Sequence, residues 1–194
     1  MVSTRYEIGV DTNNRIRALI NRIARIDAAY SWEGDLNPVQ RAALEYLLQS
    51  NRFSRAPSHV AEYLGTTRGT MSQTLKVLAR KGYISEESSI SDRRSISYKP
   101  TDTGRAAMSA PNPIAAAFEA LPSGEQTELE TALRHGLQQA LQVNGGQSFG
   151  LCNTCGHYDP QGKNGFCKLL SVSLSEGENT KICVEHLEVA NVAS

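Results

Sequence analysis

Every cysteine of this 194-residue chain lies beyond Gly150: Cys152, Cys155, Cys167 and Cys183, spaced C-x2-C-x11-C-x15-C. A C-x2-C knuckle turns two thiolates toward one ion and leaves backbone N–H groups to bond the sulfurs; two further cysteines complete a four-ligand set. His186 follows Cys183 closely and is a candidate substitute ligand. The expected cofactor is one metal centre per chain, either Zn2+ or an iron–sulfur cluster of the 2Fe–2S or 4Fe–4S kind. Haem attachment is excluded because Gly156, not histidine, follows Cys155, and no βαβ pattern surrounds the pair as a thioredoxin-like role requires.

A second group of chemically able residues stands near the middle of the chain. Thr67, Arg68, Thr70, Ser72 and Gln73, with Lys76 one turn on, are short hydrogen-bonding side chains and two cations along one stretch, and Gly69 among them permits close approach. Such a set suits the edges of bases and the phosphates beside them. Further on, Asp92-Arg93-Arg94 places two guanidiniums in a polar loop, where they could enter a narrow minor groove.

These residues need elements to hold them. Ile16, Leu19, Ile20, Ile23, Ile26 and Tyr30 recur at helical steps, predicting an amphipathic helix over Asn14 to Trp32. Asn37-Pro38 opens a helix through Leu48, and Ser50 to Arg55 is a polar break. Pro57-Ser58 opens a short helix closed by Gly65, and Thr66 or Thr67 caps a longer one with Met71, Leu75 and Leu78 inward, ending at Lys81-Gly82. Two helices across a glycine turn read as helix-turn-helix. Tyr83 to Ser85 and Ser95 to Tyr98 then read as strands around a Glu86 to Arg94 loop, a wing. Pro111 and Pro113 interrupt any long helix from Asp102; a last helix runs from a Ser123-Gly124-Glu125-Gln126 capping box to Val143, with Leu129, Leu133, Leu137 and Leu141 in a stripe. Gly145-Gly146-Gln147-Ser148 reads as a flexible linker.

The chain carries no net charge and is 40% hydrophobic, which excludes a disordered or collagen-like polymer. The balance is uneven: residues 35–105 carry +4 and residues 106–194 carry −5, the pattern of a polyanion-binding domain joined to acidic modules. No apolar run approaches a membrane span, and five arginines before Tyr30 replace any apolar export core, so a cytoplasmic protein without membrane contact is expected.

Residues Leu36 to Met108 resemble the MarR family of bacterial transcriptional regulators. Leu36-Asn37-Pro38-Val39-Gln40 is similar to the family's opening helix, Leu64-Gly65 through Lys81-Gly82-Tyr83-Ile84 to its helix-turn-helix, and Asp92-Arg93-Arg94 followed by Thr101-Asp102-Thr103-Gly104 to its DRR…LTxxG pattern. Pro100 departs from it, standing where the family has an apolar residue. The resemblance implies a mainly α fold with a small β-hairpin wing: a dimerisation helix (1–34), a winged helix-turn-helix (35–105) and dimerisation helices (106–144); composition and cysteine spacing add a linker (145–150) and a Cys-rich metal module (151–194). It implies a homodimeric repressor on a pseudo-palindromic operator in double-stranded DNA, with a small-molecule effector as a candidate partner; the cysteine centre, expected beside the dimerisation helices, is then either a redox- or iron-sensing cluster or a structural zinc. The cysteine spacing also resembles that of high-potential iron–sulfur proteins. The chain is not expected to be an enzyme, having no Ser/His/Asp grouping, phosphate-cradling loop or dinucleotide fingerprint. The alternatives are a metal- or redox-linked enzyme, or a protein-interaction module, using the winged fold as scaffold.

Overall fold

The structure, a computed structural model, describes residues 11–30, 34–88, 96–109 and 112–188. The first helix, α1 (Thr12–Tyr30), buries none of its residues, and its apolar face stays open at Ile16, Leu19, Ile20 and Ile23. Trp32 lies outside the described residues.

The winged unit follows. Helix α2 (Pro38–Gln49) starts at Asn37, whose side chain accepts the Gln40 N–H while Gln40 reaches back to the Asn37 N–H. The capping box therefore stands here and not at Ser123. Helices α3 (Pro57–Tyr63) and α4 (Arg68–Arg80) cross at Gly65, whose φ of +62° costs a glycine little. Leu44, Leu47, Val60, Met71, Leu75 and Leu78 close the core with Tyr46 and Tyr98. Burying an aliphatic side chain of this kind is worth about 1.5–3 kcal/mol.

The wing strands, β1 (Ile84–Ser88) and β2 (Ile96–Pro100), are antiparallel and longer than the sequence indicates. Glu86, Glu87 and Ser88, read as loop for their polarity, pair with Tyr98, Ser97 and Ile96. A two-stranded ribbon leaves most of β1 in solvent, so polar residues fit it. Pro100 ends β2 opposite Ile84, where its missing N–H interrupts no inner strand. Arg55 lies against the outer side of β2, its carbonyl accepting the Tyr98 N–H at 3.2 Å.

Helix α5 (Asp102–Ala107) is locked to the α4–β1 turn. Thr101 caps it through the Gly104 N–H and donates its hydroxyl to the Gly82 carbonyl at 2.7 Å. A Cβ on Gly104 would sit 2.2 Å from the Tyr83 carbonyl oxygen, so only glycine fits. Asn112 caps α6 (Pro113–Glu119) and joins it to α1 through Asp27 at 2.7 Å. Pro111 is outside the described residues. Helix α7 (Ser123–Asn144) begins one residue after its cap, Pro122. Gln126, the expected partner of Ser123, turns instead to the carbonyls of Glu119 and Leu121.

Beyond α7 the chain builds a small β region: β3 (Gly150–Leu151) with β7 (Ile182–Cys183), and a meander of β4 (Tyr158–Gln161), β5 (Asn164–Cys167) and β6 (Val172–Leu174). The stretch read as a linker is fixed in place. Gln147 and Ser148 bond the carbonyls of Val184 and His186. Phe149, at φ +37°, packs edge-on against Tyr46 and Tyr63, with ring centroids 6.2 and 5.3 Å away. Such a backbone costs on the order of 1–3 kcal/mol and persists because the aromatic packing determines it. Among the described residues no helix is long and apolar enough to cross a membrane.

Candidate nucleic-acid interface and thiol centre

Helix α4 is held by its buried face at Met71, Leu75 and Leu78, which turns Gly69, Gln73, Lys76 and Arg80 outward in one stripe. Arg68 is exposed beside that stripe, and Thr70 is exposed on its flank; Ser72 is half-buried. Thr67 is the cap: its hydroxyl oxygen accepts the Thr70 N–H at 3.2 Å and lies 2.9 Å from the Thr70 hydroxyl. Thr67 therefore serves the helix first. Arg68, Lys76 and Arg80 form no ion pair among the described residues, so their charge faces outward. Arg80 completes the stripe and was missed because, read from sequence, it falls at the helix end. Arg93 and Arg94 lie outside the described residues.

The α4 C-terminus is anchored to the start of the unit. Lys81 bonds the Asp35 carbonyl and pairs with its carboxylate at 3.5 Å, and the Tyr83 hydroxyl donates to that carboxylate at 2.5 Å. The Tyr83 hydroxyl, and then Lys81, hold the Asp35 carboxyl below its ordinary value despite some desolvation. The exposed stripe is thus presented from a fixed base.

The four cysteines, all free thiols, line one cavity with His157, Tyr158, Leu174 and Glu185. Cys152 and Cys183 are buried; Cys155 and Cys167 are half-buried. Among the described residues no group of three or more His, Cys, Asp or Glu side chains is placed so that it could hold a metal ion. The sulfurs nonetheless receive donors: the Leu187 N–H to Cys155 at 3.3 Å and the Asn51 amide to Cys152 at 3.4 Å. The Cys152 thiol hydrogen-bonds Cys183 and, against the opposing effect of burial, holds it below the ordinary thiol value, helped by Asn51, the Glu185 backbone and Ser54. Cys152, giving that proton and buried, is pushed up.

His186 is not among the residues lining this cavity. Its Nε2 is 3.1 Å from the Thr154 hydroxyl, and its ring fills the space above Gly150. His157 and Asn51 are the neighbours that spacing did not reveal, Asn51 because it comes from the winged unit far away in sequence.

Residues 34–95 match the MarR family, a family of transcriptional regulators and not of enzymes. No protein of curated function matches the chain. Among solved structures it is similar to a MarR transcriptional regulator from Methanosarcina mazei Go1, with TM-score 0.54 and 18% identity over 66% of this chain and 98% of the other. It is similar to S. aureus MepR in a DNA complex, with TM-score 0.51 and 20% identity over 66% and 97%. CouR from Rhodococcus jostii RHA1, bound to p-coumaroyl-CoA, gives TM-score 0.53 and 16% identity over 64% and 90%. These likenesses show a shared fold: a mainly helical, MarR-like winged helix-turn-helix with a β-hairpin wing. To it this chain adds a small C-terminal β region.

Proposed function

We propose that this chain, which carries a MarR-family winged helix-turn-helix at residues 34–95, is a homodimeric transcriptional repressor whose C-terminal region holds a thiolate metal centre. The outward stripe of α4 carries the DNA reading. Arg68, Thr70, Ser72 and Gln73 read or position on bases, Lys76 and Arg80 meet phosphates, and Arg93 and Arg94 enter the flanking minor groove. The open apolar faces of α1 and α7 are supplied by a second copy, so that two α4 helices reach successive major grooves of a pseudo-palindrome. A cavity of about 610 Å3 between α7, α3 and the C-terminal region, lined by Tyr63, Leu133, Arg134, Leu137 and Phe149, is where a small-molecule effector would act.

For the centre, Cys152, Cys155, Cys167 and Cys183 are the ligands, either of Zn2+ or of an iron–sulfur cluster. What supports this is that all four line one cavity and that N–H donors point at two of the sulfurs, those of Cys152 and Cys155, as suits metal thiolates. Metal and acid-labile sulfide content of protein purified without oxygen tests it: one zinc, or iron with sulfide, is expected per chain, and a metal-free protein overturns the centre. Selection of bound duplexes from a random-sequence pool tests the regulator; an inverted repeat is expected, and no enrichment overturns it.

A further inference from the structure

The segment between α2 and α3 is polar, yet Ser50, Asn51 and Ser54 are 0%, 1% and 0% exposed. Loops usually lie on the surface because their polar groups need water, so a buried one must find partners elsewhere. Here they come from both sides. From the C-terminal region, the Ile182 carbonyl accepts the Asn51 N–H at 2.9 Å, the Val184 N–H donates to the Ser54 hydroxyl at 2.9 Å, and Lys181 donates to the Leu48 carbonyl at 2.8 Å. From the winged unit, the Tyr46 hydroxyl donates to the Ser54 carbonyl at 2.8 Å, and Arg55 holds the Ser50 carbonyl while its own carbonyl accepts Tyr98 of β2.

The amide of Asn51 is oriented by this arrangement. Its Oδ1 accepts the Phe53 N–H at 3.0 Å and the Ser54 hydroxyl at 2.8 Å, which leaves only Nδ2 to face the Cys152 sulfur. Ser54 in turn receives the N–H of Val184, next to Cys183. The two buried cysteines are thereby tied to one loop, Cys152 at its sulfur and Cys183 through the backbone beside it. A neutral thiol is a weak acceptor and a metal-bound thiolate a strong one, so loading the centre strengthens this bond.

The geometry points to Asn51 as a positioning residue that couples occupancy of the cysteine centre to the wing: a filled centre fixes the Ser50–Arg55 loop, the loop holds β2 through Arg55, and DNA is bound more tightly. This rests on the proposed metal centre and DNA-binding role. Coupling between sites of this kind is commonly 5- to 150-fold, and ordering the loop in advance removes its cost from DNA binding.

The test uses the full chain as purified with its metal, the same chain stripped by a chelator, and a duplex selected from a random pool. Wild type is expected to lose at least about five-fold in affinity on stripping. Asn51→Asp keeps the acceptor oxygens for Phe53 and Ser54 but removes the donor to Cys152, so its loaded and stripped forms should bind within about two-fold of each other while metal content per chain stays measurable. Equal affinities of loaded and stripped wild type overturn the coupling; an undiminished ratio in the variant overturns the role of Asn51. A chain that holds no metal or selects no DNA overturns the underlying reading instead. Should the variant not fold, hydrogen exchange of wild type decides: the Tyr98 amide should exchange more slowly when metal is present, and an unchanged rate contradicts the proposal.

Discussion

The Nδ2 of Asn51 lies 3.4 Å from the Sγ of Cys152, across 101 positions of sequence. The thiols therefore stand against the winged unit, while the same C-terminal region also reaches α7, where Gln138 bonds Glu188. The link to the winged unit is reinforced by Arg52, which pairs with Glu178 and donates to the Ser173 carbonyl at 3.0 Å. Phe149 and Ile182 pack against the winged core from the same side.

Gly104 is the tightest joint of the winged unit, buried under the Tyr83 carbonyl with Leu44 on another side. Gly104→Ala must push α5 off the turn that leads into β1. Overpacking of this sort costs about 1–3 kcal/mol. Urea unfolding should show a lower midpoint with an unchanged slope; a wild-type midpoint would mean that the turn yields freely.

The apolar face of α1 is open, with Leu19 60% and Ile20 46% exposed. If a second copy covers it, Leu19→Glu removes two buried leucines per dimer, each worth about 1.5–3 kcal/mol. The dimer should then dissociate at least about 100-fold more readily by sedimentation. An unaltered sedimentation profile would place the interface elsewhere.

Glu178 ties the C-terminal region to Arg52. Burial raises its carboxyl, but the Ser175 hydroxyl and N–H and the Arg52 guanidinium together bring it below its ordinary value of 4.5. A carboxyl depressed in the folded state contributes stability that is fully present above 4.5 and fades as pH falls through the lower folded value. Protection of the Asn51 and Val184 amides, taken relative to the intrinsic exchange rate at each pH, should fall on acidification below that point in wild type. Glu178→Gln should show faster exchange already at neutral pH and a flatter acid profile; identical profiles would remove this ion pair from the docking.

The sequence revealed the winged unit well because its signals are local: Asn37-Pro38 at a helix start, Gly65 and Gly82 at turns, and the Thr101-Asp102-Thr103-Gly104 motif. It revealed the set of thiols by spacing alone. What stayed hidden depends on tertiary placement. Glu86 to Ser88 are polar yet paired, since a ribbon needs little burial. Gln147 and Ser148 have the composition of a linker, but their side chains find carbonyls only in the folded C-terminal region. The Ser50–Arg55 stretch reads as a polar break because the partners that bury it from the other side, at Lys181 to Val184, are more than a hundred residues away. His186 has ligand spacing to Cys183, but its ring is turned to Thr154 and Gly150.

Contact of α4 with DNA is measured most directly by the salt dependence of affinity for a selected duplex. Each phosphate contact contributes a slope of about 0.9 in log affinity against log salt. Lys76→Ala, at an exposed position outside the folded core, should reduce the slope by roughly 2 per dimer and weaken binding evenly across sequences. A slope equal to that of wild type would contradict the placement of α4 against the DNA backbone, and with it the assignment of the exposed stripe as the reading face.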